Sequence, residues 1–125
     1  MKWISTVKQD WAVLISEGKC RGQGTQANPY IIDSLKINGR GAECINILGV
    51  RNVYYKIMNC ELYNGSYDIR ISYADMGDII DNKIVYNNIG ISTMPYSPLY
   101  CRNKAISGNS VSYNTEYGID AGEPL

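Results

Sequence analysis

The chain has 125 residues, room for one domain with one core. Its 12 Lys and Arg balance 12 Asp and Glu, so no basic surface argues for a nucleic-acid partner and no acidic excess for a solvating tail. His is absent, which excludes a Ser-His-Asp triad. The four cysteines, Cys20, Cys44, Cys60 and Cys101, fit no C-x-x-C spacing, which argues against a zinc site. They are either free core thiols or up to two disulfides in any of three pairings.

At the N-terminus Ser5 or Thr6 can cap a helix on which Val7, Trp11, Leu14 and Ile15 share one face, with Gly18 as its stop. Residues 1–27 are therefore expected to form a capping segment. The apolar run within it, Trp11 to Ile15, is too short for a signal core or a membrane span. In "GQGTQANPYII", Pro29 holds Asn28 extended and launches the first strand.

Residues 28–125 carry a repeat. One template is apolar, two variable, small or polar, one variable, apolar. It reads Ile32-Leu35-Ile37, Ile57-Cys60-Leu62, Ile79-Asn82-Ile84 and Ile106-Asn109-Val111, in steps of 25, 22 and 27 residues. A second is an alternating pair, Ile45-Ile47, Ile69-Ile71, Ile91-Thr93 and Ile119-Ala121, in steps of 24, 22 and 28. The two interleave in one constant order. Ile-x-Ile is a short strand with one face inward. The two-residue gap between Ile79 and Asn82 breaks alternation, so the chain bends there. Asn tolerates left-handed backbone angles at such a bend, and its amide can bond the coil stacked above or below. Leu35, Cys60, Asn82 and Asn109 are thus expected to occupy one structural ladder. The steps are too short for propeller blades, and no sustained helical stripe competes. The expected architecture is all-β, a solenoid of four to five coils behind a short helical cap, with an open C-terminal coil through which the chain can self-associate.

The segments "GQGTQANPYII", "CINI", "MNCELYNGS", "DIRIS", "DNKIVYNN" and "ISGNSVSYNTEYGI" resemble the repeats of right-handed parallel β-helix proteins of the pectin-lyase-like class, NosD-like repeat proteins above all. The likeness covers about residues 20–120. It implies three parallel sheets per coil and an extracellular or cell-surface setting, although this chain shows no export signal. It says little about chemistry, because that class spans lyases, hydrolases, adhesins and accessory proteins.

If Ile45, Ile69, Ile91 and Ile119 point inward, two columns point out. They are Cys44-Asp68-Gly90-Gly118 and Asn46-Arg70-Ser92-Asp120. Asn46, Asp68, Arg70, Ser92 and Asp120 form a candidate strip for an extended polysaccharide, with Tyr67, Tyr73, Tyr96 and Tyr117 placed to stack on sugar rings. The leading expectation is a non-enzymatic module that binds glycan through this strip or acts as a rigid spacer, with no cofactor. One alternative is a polysaccharide lyase or glycoside hydrolase built on Asp68 and Asp120, two coils or about 10 Å apart. The acidic run Asp75, Asp78 and Asp81 around Gly77 reads as a turn. A second alternative, an accessory role in metalloenzyme assembly, rests on the resemblance alone, since Met58, Met76 and Met94 form no cluster in sequence.

Overall fold

The computed structural model describes residues 3–4, 7–8, 10–48, 53–72, 77–92 and 105–120, with side chains for 10–48, 53–71, 77–85, 88–92 and 107–112. The described chain is mostly β. Its strands are β1 (Trp3–Ile4), β2 (Val7–Lys8), β3 (Tyr30–Asp33), β4 (Lys36–Asn38), β5 (Ile45–Leu48), β6 (Tyr55–Met58), β7 (Glu61–Tyr63), β8 (Tyr67–Ser72), β9 (Gly77–Ile80), β10 (Lys83–Ser92), β11 (Ala105–Ser107) and β12 (Ser110–Asp120). A single helix among the described residues, α1 (Trp11–Ser16), precedes β3.

All pairings between these strands are parallel. One sheet has the order β11-β9-β6-β3. The other has two arms, β1-β4-β7 and β2-β5-β8, which meet on β10. The first half of β10 pairs with β7 and the second with β8, while β12 pairs along β10, with a register shift between Asn87 and Ile89.

The registered partners are the residues of the two templates. Ile32 lies opposite Ile57, Ile57 opposite Ile79, and Ile79 opposite Ile106. Ile37, Leu62, Ile84 and Val111 form a second series, and Ile45, Ile69, Ile91 and Ile119 a third. The described side chains of these series, Val111 apart, are fully buried, and Val111 packs against them. Stacked aliphatic columns therefore make the core, and removing them from water drives the assembly of strands of which most are only two to four residues long.

The bend between the two sheets has a constant geometry. Ser34, Asn59, Asp81 and Gly108 hold φ of 57, 54, 57 and 67°. Each immediately precedes a ladder residue. The left-handed backbone expected at Asn82 and Asn109 thus falls one position earlier, and the ladder residues are left to bond with their side chains.

The N-terminal expectation is corrected. Val7 does not share a helix with Trp11: Trp3 and Ile4 pair with Lys36 and Ile37, and Val7 and Lys8 with Ile45 and Asn46, while Ser5 and Thr6 lie outside the described residues. Two short strands thus cover the edges of β4 and β5. The helix starts at Trp11, capped by the Asp10 carboxylate, which accepts from the Val13 N–H at 3.3 Å. Leu14 enters the core while Ile15 stays exposed, and Gly18, at φ 74°, turns the chain out of the helix. The edge of β3 is closed by an antiparallel bridge between Arg21 and Ile31.

Candidate functional site

At the first bend the asparagines link successive passes of the chain. Asn82 is buried. Its Nδ2 donates to Ile57 O and to Asn109 Oδ1, both at 3.0 Å, and its Oδ1 accepts from Cys60 N at 2.9 Å. Asn109 repeats the pattern: Nδ2 donates to Ile79 O at 3.0 Å, and Oδ1 accepts from Asn82 N at 2.9 Å. Cys60 fills the same slot one pass earlier, its thiol 3.4 Å from Met58 O. Leu35, before it, packs half-buried against the core. Burial pushes the Cys60 thiol up from 9.0 to about 11.

The outer strip is only partly realised. Asn46, Arg70, Ser92 and Asp120 lie in register across β5, β8, β10 and β12. Asn46 and Arg70 are half-exposed, but Ser92 is buried, and the Asp120 side chain lies outside the described residues. Asp68 is completely buried, as is Cys44 in the pass before it, so that column faces inward rather than out. The reason is a second bend. Strict alternation requires an extended strand on both sides, whereas residues 39–44 and 64–66 turn the corner into β5 and β8. Two successive side chains, 44 and 45 or 68 and 69, consequently enter the interior. A column of small residues (Cys44, Asp68, Gly90, Gly118) was the sequence signal for this confined place.

Inside that corner Asp68 Oδ1 accepts from the Cys44 thiol and from Gly65 N, each at 3.1 Å. Burial and the adjacent Asp68 carboxylate push the Cys44 thiol far up. A Cβ at Gly39 would press on Ala42 O and on Gly65 Cα, which keeps both corner positions small. Cys20, Cys44 and Cys60 are free thiols, and Cys101 lies outside the described residues.

On the outer face Arg70 is held in place. Its guanidinium carbon lies 4.8 Å from the centre of the Tyr67 ring, and Nη1 is 3.1 Å from Glu43 Oε1. Sequence reasoning named Arg70 and Tyr67 but not Glu43, which sits in the turn before β5, where no strand periodicity predicts its direction. A flat ring, a fixed cation, a carboxylate and the Asn46 amide can contact the hydroxyl groups and apolar face of a sugar. Asp68, one of the two carboxylates of the lyase or hydrolase alternative, is sealed inside rather than on this face. The side chains of Tyr73, Tyr96 and Tyr117, and Asp75, Met76 and Met94, fall outside the described residues. Gly77 and Asp78 belong to β9 rather than to a turn, and Asp81 occupies the bend that follows it. Among the described residues no three of Cys, Asp and Glu gather as a metal site, and no helix is long and apolar enough to cross a membrane.

Comparison of the chain with family models, with curated proteins and with solved structures gives no match.

Proposed function

We propose that this chain is a right-handed parallel β-helix module of the pectin-lyase-like, NosD-like kind, acting as a rigid spacer in a surface or secreted protein. The observation that carries the reading is the parallel register of the strands. The same three aliphatic series recur every 22 to 28 residues, and an asparagine amide ties one pass to the next. Such a stack resists bending because each inner strand is bonded on both edges and the core columns run through successive passes. Among the described residues β11 and β12 each pair on one edge only, which supports pairing with further strands at that end.

Rigidity is tested by native-state hydrogen exchange. Amides of β6, β7 and β8 are expected to exchange only through large-scale opening, and rapid independent exchange in these strands would remove the spacer reading.

A second reading, glycan contact, is favoured by one feature, the Arg70 guanidinium fixed between Tyr67 and Glu43. Binding of the chain to a glycan array that Arg70→Ala abolishes by tenfold or more would establish it. No binding, or binding indifferent to Arg70, would leave the patch as part of the spacer's surface.

A further inference from the structure

The corners that turn the chain into β5 and β8 hold the two Asn-Gly pairs of the sequence, Asn38-Gly39 and Asn64-Gly65. In such a pair the main-chain nitrogen after the asparagine can attack the side-chain amide, because glycine has no Cβ to obstruct the five-membered ring that forms. The two pairs are neighbours in the stack: Asn64 Nδ2 lies 3.4 Å from Asn38 Oδ1, and the Asn64 carbonyl accepts from Gly41 N at 2.8 Å. Their attacking nitrogens face different partners. Gly39 N–H donates to the Tyr63 carbonyl at 2.8 Å, a neutral acceptor. Gly65 N–H donates to Asp68 Oδ1 at 3.1 Å, a completely buried carboxylate within reach for proton transfer.

The asparagine side chains differ as well. Asn38 Oδ1 accepts from Arg40 N at 3.1 Å as well as from Asn64 Nδ2. Asn64 is exposed, at a left-handed φ of 59°, so solvent reaches this side of the corner.

We propose that Asn64-Gly65 is a self-modifying site, at which the Asp68 carboxylate is the general base for conversion of Asn64 to a succinimide and then to aspartate or iso-aspartate. Asp68 Oδ1 takes the Gly65 N–H proton as that nitrogen bonds to Asn64 Cγ. The Cγ–Nδ2 bond breaks, the proton passes to Nδ2, and ammonia leaves. One water then opens the ring. Addition at Cγ gives aspartate, and addition at the main-chain carbonyl gives an iso-aspartyl linkage. The product carries a carboxylate on the exposed corner in place of a neutral amide. The effect depends on the fold, since the corner holds Oδ1 against Gly65 N while the Cys44 thiol of the preceding pass bonds the same oxygen at 3.1 Å. The site is independent of the spacer and glycan readings and needs only this corner.

The test incubates the purified full-length chain near neutral pH and maps both pairs by peptide mass spectrometry, with iso-aspartate detected enzymatically. In the folded chain Asn64 is expected to convert about tenfold or more faster than Asn38, and in urea the two should react at comparable rates. The Asn64 rate should change little with pH around neutrality. The Asn38 rate should rise in proportion to hydroxide, because its neighbouring nitrogen faces only a carbonyl. Asp68→Asn keeps an acceptor for Gly65 N and the Cys44 thiol but takes no proton. It should slow reaction at Asn64 about tenfold or more and leave Asn38 unchanged. Equal rates at the two pairs in the folded chain, faster reaction at Asn38, or an Asn64 rate proportional to hydroxide would overturn the proposal. So would an unchanged Asn64 rate in an Asp68→Asn chain with the circular dichroism of the parent. The comparisons between pairs and across pH use the parent chain alone, and they decide the matter even if the variant does not fold.

Discussion

Asn82 shows how much one buried side chain can hold. Replacing it by Leu strands the Cys60 N–H and the Ile57 carbonyl, while the Asn109 amide oxygen keeps the backbone N–H of residue 82. Buried groups without partners each forfeit about 1–3 kcal/mol, and these two are not additive. Asn82→Leu is expected to destabilise the chain by about 2–5 kcal/mol in urea unfolding. A loss below that of an exposed control such as Ser110→Leu would mean the slot is not buried in solution. The left-handed residue before the slot makes a different demand. Gly108 holds φ of 67°, and a Cβ there would meet Asp81 Oδ1. Gly108→Ala should therefore lower stability by about 1–2 kcal/mol, whereas Ser34→Gly, at φ 57° in the first bend, should be neutral or stabilising by up to about 1 kcal/mol. Unfolding free energies of the two variants moving in the same direction would contradict the shared bend geometry. Cys60 adds a pH dependence. Its folded-state value is raised from 9.0 to about 11 by burial. The neutral thiol is the form the folded state keeps, so this contribution is fully present below pH 9 and is lost as pH rises through about 11. The fall in stability between these limits should be shallower in Cys60→Ala than in the parent chain, and identical slopes would remove the thiol as its cause.

Elements were legible where the period was clean. Ile45-Ile47 and Ile69-Ile71 alternate, and β5 and β8 follow with both pairs buried. The corners were less legible, since a turn suspends the two-residue period and lets Cys44 and Asp68 enter the interior beside Ile45 and Ile69. The N-terminal segment misled for a related reason. Val7 fits a helical face with Trp11 and Leu14, yet pairing with Ile45 satisfies its backbone on an edge that would otherwise stay open. What remains of the helix leans on Asp10 and on Leu14. Asp10→Ala should reduce stability by about 0.5–1 kcal/mol, as measured by thermal or urea unfolding, because its capping bond is long, at 3.3 Å. Gly77 carries a larger consequence, since the Tyr55 ring lies where its Cβ would be. Gly77→Ala must push that ring off its seat, and a loss of about 1–3 kcal/mol is expected. An unchanged melting temperature would show that Tyr55 does not cover β9.

At the scale of the molecule the stack is nearly one-dimensional: each inner strand bonds the pass before and the pass after, so stability should fade toward strands that pair on one edge only among the described residues. Amides of β11 and β12 are expected to exchange faster than those of β7 and β8, and uniform protection across all four would mean that something covers the C-terminal edge. The sequence by itself determined the repeat, the parallel register and the aliphatic columns, because all three follow from the spacing of branched residues along the chain. It also named the ladder asparagines, whose place in the template is constant. Only the tertiary structure decided which polar residues face water. Asp68 and Arg70 are both polar and only two positions apart, but one lies in a corner sealed by Cys44 and Gly65 and the other on a flat strand beside Tyr67 and Glu43. Gly65 and Tyr67 are local, but Cys44 and Glu43 come from the previous pass, 24 and 27 residues away, and no local period carries information about what that pass has placed there.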